Sequence, residues 1–251
     1  MSTYLKVNLS NSDFLNKLKY HINNNIPLSL TRFGDGEIHF INNTLPVNII
    51  NQLKKTWGYD DIELAKKDVL DIIDKGLKYS DVIGIMDNNN EISKNIPYNE
   101  KGWSIKNEYI KKLRIDEYQV CDHMVVRGIE LGSLHNFKKI INGEDICIIS
   151  PRAKQLKNNK IDKILENNIT YIEVPMGINL KNRDDIFKKM ETIQEKIVIY
   201  GCSITGKDFG VFLKNKNKIA LDFGATLDGW AGLETRSWFK KNGLQNHCLL
   251  K

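Results

Sequence analysis

The chain has 251 residues, 41% hydrophobic and 27% charged, the balance of a globular protein that buries a full core and not of a disordered or fibrous one. Its formal charge of +6 comes from lysines interleaved with Asp and Glu, so there is no basic block to mark a nucleic-acid partner, and the mild positive field suits an anionic substrate. No apolar run approaches the ~20 residues that span a bilayer, and the residues Met-Ser-Thr-Tyr-Leu-Lys-Val-Asn carry no apolar core segment or cleavage signal.

These features predict a cytoplasmic protein, with peripheral membrane contact left open. The cysteines, Cys121, Cys147, Cys202 and Cys248, make no metal-type pair and read as reduced, mostly buried thiols. In chain order, Phe14, Leu15, Leu18 and Ile22 predict a helix over 12–24, and an alternating stretch predicts a strand from Leu28 to Phe33. Asp35-Gly36-Glu37 opens a helix, amphipathic helices follow at Val47 to Trp57 and Ile62 to Leu77, and Val82 to Met86 is a short buried strand. Asp87 to Lys101 reads as a polar loop, with helices expected over Trp103 to Leu113 and Val126 to Ile141.

Further strands are expected at Ile146 to Ile149, Thr170 to Val174, Ile197 to Tyr200 and Ile219 to Leu221, alternating with helices at Lys154 to Glu166, Asp184 to Ile193 and Lys207 to Leu213. That alternation predicts an α/β fold with a mainly parallel sheet and helices on both faces. It reads as a single domain over 1–251, with a helical insert at about 45–140.

Chemistry concentrates at two turns. In Arg32-Phe-Gly34-Asp35-Gly36-Glu37, two carboxylates stand one residue apart after a strand, where open α/β sheets bind ligands. Hard oxygen ligands of this kind suit a divalent cation bridging to phosphates, and Arg32 offers a planar fork to an anion. A plain helix start, with Asp35 as cap, is the competing reading.

The second turn, Gly201-Cys-Ser203-Ile-Thr205-Gly206-Lys207, follows a strand and precedes a helix, the arrangement that cradles phosphate. Its spacing matches a P-loop, but Asp208 stands where a Ser or Thr holds magnesium, so a P-loop-like nucleotide-binding protein or phosphohydrolase using Gly201 to Lys207 is the alternative. As a loosened dinucleotide-type fingerprint, the turn is followed 21 residues after Gly201 by Asp222, near the ~20 expected of a ribose-binding carboxylate.

Together, the Arg32 to Glu37 segment, the Gly201 to Gly206 turn, Ile219 to Gly224, Ser150-Pro151-Arg152 and Glu173 to Asn179 resemble the GT-D glycosyltransferases, whose hallmark is an Asp-x-Glu motif after the first strand. The resemblance departs at Ala225, where that family carries a His. It implies a Rossmann-like sheet and a nucleotide-sugar donor, a UDP-sugar first, with a glycan, glycolipid or glycoprotein acceptor. It also implies a divalent cation, Mn2+ or else Mg2+, at Asp35 and Glu37. Under that likeness Arg32, Arg152 and Lys207 face phosphate, with Gly34 and Gly36 beside them. Ser203 and Thr205 donate to the diphosphate and Asp222 accepts from ribose. Asp228 is the expected catalytic base, with Glu234, His39 and His123 as further candidates, and Trp230 and Trp238 could stack an acceptor sugar.

Overall fold

Strands β1 (Leu28–Arg32), β2 (Val82–Ile85), β3 (Gln119–Asp122), β4 (Ile146–Ser150), β5 (Ile169–Glu173), β6 (Ile197–Tyr200) and β7 (Ile219–Asp222) form one sheet in the order β3-β2-β1-β7-β6-β4-β5. Every pairing is parallel. The computed structural model describes residues 7–55, 59–85, 109, 112–113, 119–122, 124–127, 129–176 and 180–233. The expected 87–101 loop and most of the 103–113 helix lie outside these residues, as do His123, Glu234, Trp238, Cys248 and the side chain of Asp35.

The helices are α1 (Asn11–Asn23), α2 (Asp35–Ile41), α3 (Val47–Lys55), α4 (Ile62–Tyr79), α5 (Met124–Arg127), α6 (Ile129–Gly132), α7 (Leu134–Ile141), α8 (Ala153–Asn158), α9 (Ile161–Leu165), α10 (Leu180–Glu191), α11 (Phe209–Asn215) and α12 (Thr226–Trp230). Successive strand side chains point to opposite faces. Accordingly Ile146, Ile148, Ile197 and Ile199 join one core with α1, α7 and α9. Their neighbours Cys147, Ile149, Val198 and Tyr200 join another with α10 and α11, and Ile83 and Ile85 pack with α3 and α4. Each large apolar side chain so buried contributes about 1.5–3 kcal/mol.

In a sheet covered on both faces an unpaired polar group is costly, and the two hydroxyl residues of β1 are paired. Ser29 donates to Asp81 from its amide at 2.9 Å and from its hydroxyl at 3.1 Å, while the Thr31 and Ser80 hydroxyls meet at 2.6 Å.

Several boundaries differ from expectation for local reasons. The 154–166 helix is broken into α8 and α9, with Lys160 in the left-handed region at φ 56°. Leu156 and Ile161 stand five residues apart, a step that no single 3.6-residue helix keeps on one face. Over 126–141, α7 starts afresh after Ser133, which is extended. The helix expected from Lys207 begins at Phe209, after a 3-10 turn over Ile204–Gly206. Strand β3 was not expected at all. Only Val120 and Cys121 give it apolar character, too little for a visible alternation. The stretch from about 45 to 140 thus supplies two sheet strands, β2 and β3, as well as helices.

Candidate functional site

Parallel strands end at one edge, so the segments following β1, β4, β6 and β7 are brought together there. The first strand lies beside the last at the centre of the sheet, with the other strands built outward on either side. Such a point in an open α/β sheet is where ligands bind. The sequence-predicted groups at Arg32 to Glu37, Ser150 to Arg152, Gly201 to Lys207 and Asp222 to Asp228 all lie along this edge.

Four of these residues form a buried charge network. The Lys207 ammonium lies 2.8 Å from Asp222 Oδ2 and 3.1 Å from Glu37 Oε1. Asp222 Oδ2 also accepts from the Arg32 amide at 3.2 Å, and Arg32 Nη2 is 3.7 Å from Asp222 Oδ1. Burial alone would raise the Asp222 carboxyl pKa, but Lys207 and Arg32 outweigh it and hold it below the ordinary carboxylate value. Burial alone would lower the Lys207 pKa, but Asp222 and Glu37 outweigh it and hold the ammonium above the ordinary lysine value.

The network changes the roles expected of its members. Asp222 is 2% exposed and fully engaged, so it orients Arg32 and Lys207 where a ribose contact had been expected. Lys207 serves the two carboxylates instead of phosphate, and Asp208 is paired with Arg183, which leaves the P-loop reading without its lysine and with no metal-holding hydroxyl. Arg32 keeps two buried donors, Nε and Nη1, that have no hydrogen-bond partner among the described residues.

The turn after β6 is tight and strained. Ser203 is exposed and sits at φ 59°, ψ −163°, a region that only glycine visits cheaply, at about 1–3 kcal/mol for other residues. No backbone carbonyl among the described residues receives the N–H of Cys202, Ser203, Ile204 or Thr205. Gly201 and Gly206 are glycines because a Cβ would lie 2.8 Å from the Gly224 carbonyl and 2.6 Å from Cys202 Cβ, respectively. Thr205 is fully buried and its hydroxyl has no hydrogen-bond partner among the described residues, so Ser203 is the exposed hydroxyl of the two. Burial pushes the Cys202 thiol well up, which removes it as a nucleophile.

Glu37 is the third residue of α2 and closes its N-terminus: Oε2 accepts from the Gly34 amide at 2.8 Å while Oε1 faces Lys207. Each carboxylate oxygen has two lone pairs, so Glu37 retains acceptor capacity for a cation shared with Lys207. Among the described residues no group of three His, Cys, Asp or Glu side chains forms a metal cage. A hard carboxylate oxygen such as those of Glu37 is the donor type that Mg2+ or Mn2+ takes where one or two carboxylates and substrate phosphates hold the ion. Gly34 is in ordinary extended backbone, whereas Gly36 packs against Ile204, whose Cδ1 would lie 2.8 Å from a Cβ.

Arg152 and Asp228 are joined by a 2.8 Å ion pair linking the ends of β4 and β7. His39 is tied locally, its Nδ1 lying 3.1 Å from the Thr44 hydroxyl. Trp230 is fully buried, packs tilted against Phe137 and edge-to-face against Phe223, and donates to the Gly132 carbonyl at 2.7 Å. It closes the core and is no acceptor platform.

Two contributors escaped sequence reasoning. Arg183 on α10 donates to both Asp208 oxygens at 2.7 Å and to the Thr205 carbonyl, and its guanidinium packs against the edge-to-face ring pair of Phe187 and Phe209. Its one sequence signal is Phe187 four residues on, within reach along the helix. Gly76 lets α4 approach the turn, because a Cβ there would lie 2.6 Å from the Lys207 carbonyl. In an exposed helix Gly→Ala gains about 1 kcal/mol, but here Gly76→Ala should lose about 1–3 kcal/mol through the clash. Urea unfolding measures that sign.

Residues 9–230 match the family model of the GT-D fold-like domain. A solved structure described as the highly conserved domain of unknown function 1792, with a distinct glycosyltransferase fold, superposes with a TM-score of 0.60 at 16% identity, covering 96% of this chain and 83% of that one. A structure described as a new glycosyltransferase (DUF1792) from Streptococcus sanguinis has a TM-score of 0.57 at 15% identity, covering 92% and 84%. No curated protein matches the chain.

Proposed function

We propose, since this chain belongs to the GT-D fold-like domain family and carries a glycosyltransferase fold, that its site moves a sugar from a UDP-sugar to a glycan, glycolipid or glycoprotein acceptor. The observation carrying this reading is the turn after β6, where exposed Ser203 and the N–H groups of residues 202–205 stand at the sheet's switch point without backbone acceptors among the described residues. Backbone donors left without carbonyl partners at the end of a parallel strand suit a diphosphate.

Transfer breaks the bond between the anomeric carbon and the diphosphate, and negative charge builds on the departing oxygen. Groups fixed in place against that charge lower the barrier. Arg32 would donate from Nε and Nη1, Ser203 from its hydroxyl and the turn from its amides. Asp35 and Glu37 would hold Mn2+, with Mg2+ as the alternative, and the bound ion supplies positive charge against the diphosphate. Asp228, oriented by Arg152, is the base for the acceptor hydroxyl. No helix among the described residues is long and apolar enough to cross a membrane. A cytoplasmic location, with peripheral contact where the acceptor is lipid-linked, belongs to the same proposal.

The test is a thermal-shift screen of nucleotide sugars with Mn2+, with Mg2+ and with chelator. A UDP-sugar at about 100 times its Kd should add about 2.7 kcal/mol of stability in Mn2+. Asp35→Asn should remove the metal-dependent part and transfer activity while leaving the unliganded melting temperature intact. If no nucleotide sugar shifts the transition in any of the three conditions, the proposal falls.

A further inference from the structure

We infer that Arg183 is a positioning residue for the donor diphosphate: it clamps the turn after β6 from behind, so that Ser203 is held in its strained conformation with the neighbouring amides presented at the edge. This inference rests on the donor reading above. Arg183 is 6% exposed and stands on α10, away from the turn in sequence, so it acts through the turn and not on the ligand.

Its guanidinium is fixed on three sides. Both oxygens of Asp208 accept from Nη2 at 2.7 Å, Nη1 donates to the Thr205 carbonyl, and the rings of Phe187 and Phe209 lie 5.2 and 5.3 Å from its central carbon. Thr205 and Asp208 bracket Gly206 and Lys207, so one side chain secures the far half of the turn. Tying the Thr205 carbonyl backward fixes the peptide plane that it shares with Gly206. A non-glycine residue in the Ser203 conformation persists only where its surroundings over-determine it. The Arg183 clamp is such a constraint, and a lysine cannot reproduce its planar fork.

The experiment is a double-mutant comparison of Arg183→Met with and without Ser203→Gly, read by calorimetric titration of UDP in Mn2+ and by the split between kcat and KM. Glycine adopts the native backbone without strain, so it should relieve the need for a clamp. Arg183→Met alone should weaken UDP binding about ten- to hundredfold, the equivalent of releasing the strain, and should raise KM more than it lowers kcat. In the Ser203→Gly background the same change should cost less than about threefold, because no strain is left for the clamp to oppose. Arg183→Lys should fall between wild type and Arg183→Met, and it carries the same comparison if Arg183→Met does not fold. An equal loss in both backgrounds, or a lowered melting temperature with UDP affinity unchanged, overturns the clamp. Should wild type bind no nucleoside diphosphate, the donor reading has failed, and the clamp is then judged by amide exchange across 202–206. Faster exchange in Arg183→Met that slows again on adding Ser203→Gly supports it, and unchanged exchange refutes it.

Discussion

Replacing Lys207 with Met is expected to cost about 3–5 kcal/mol of folding stability, because it leaves Glu37 as a buried carboxylate without its cation and Asp222 with Arg32 alone. Global stability is ordinarily about 5–15 kcal/mol, so the loss threatens the fold itself. A lysine serving only a phosphate ligand would behave differently: its removal would shift stability by about 0.5 kcal/mol or less and show mainly in affinity. Urea unfolding of the unliganded variant separates the two, and near-wild-type stability would mean that the network contributes little.

The same network sets a pH signature. The folded-state pKa of Asp222 is lowered, so its contribution is present above the unfolded value of about 3.9 and is lost as pH falls through the lowered folded value. The Lys207 pKa is raised, so its contribution is present below about 10.4 and is lost as pH rises through the raised folded value. Between those limits these two groups leave wild-type stability flat. In Lys207→Met the buried Asp222 carboxylate keeps only Arg32 against the cost of burial, so it protonates more readily in the folded state and the gap between variant and wild type should narrow from pH 7 towards pH 4. A gap that widens on acidification would contradict the pairing.

Glu37 and Lys207 illustrate how far single-sequence reading reaches. Apolar strands such as Ile146 to Ile149 and Ile197 to Tyr200 announce themselves, because strands buried on both faces are continuous apolar runs. Once they alternate with helices, a parallel sheet follows, and with it the edge at which the conspicuous turns converge. Which charge faces which is a different matter. Spacing marks Lys207 as a cation beside a glycine turn, but its partners come from α2 and β7, elements distant in sequence that only the strand order makes neighbours. Arg183 is less legible still: nothing in the order of residues shows that this guanidinium packs against two phenylalanines and ties down a turn distant in sequence.

Arg32 should divide from Lys207 in the opposite sense, with Arg32→Met losing ligand more than fold. Its removal leaves Asp222 still held by Lys207 and by the backbone amide of residue 32, so stability should fall by less than in Lys207→Met. The two guanidinium donors without partners are another matter. Each hydrogen bond to a charged group contributes about 1.5–3 kcal/mol, so losing both should weaken UDP binding about a hundredfold or more. Met is chosen because its unbranched stem can still fill the space where Arg32 crosses over Gly224, at which Nη2 would lie 2.0 Å from a Cβ. Arg32→Lys keeps the charge but loses the fork, and it should recover only part of the affinity if planar donation to the diphosphate is what the residue supplies. Calorimetric titration of UDP against the three proteins gives the order: wild type, then Arg32→Lys, then Arg32→Met. Wild-type affinity in Arg32→Met would remove Arg32 from the donor site and leave it as a partner of Asp222 alone.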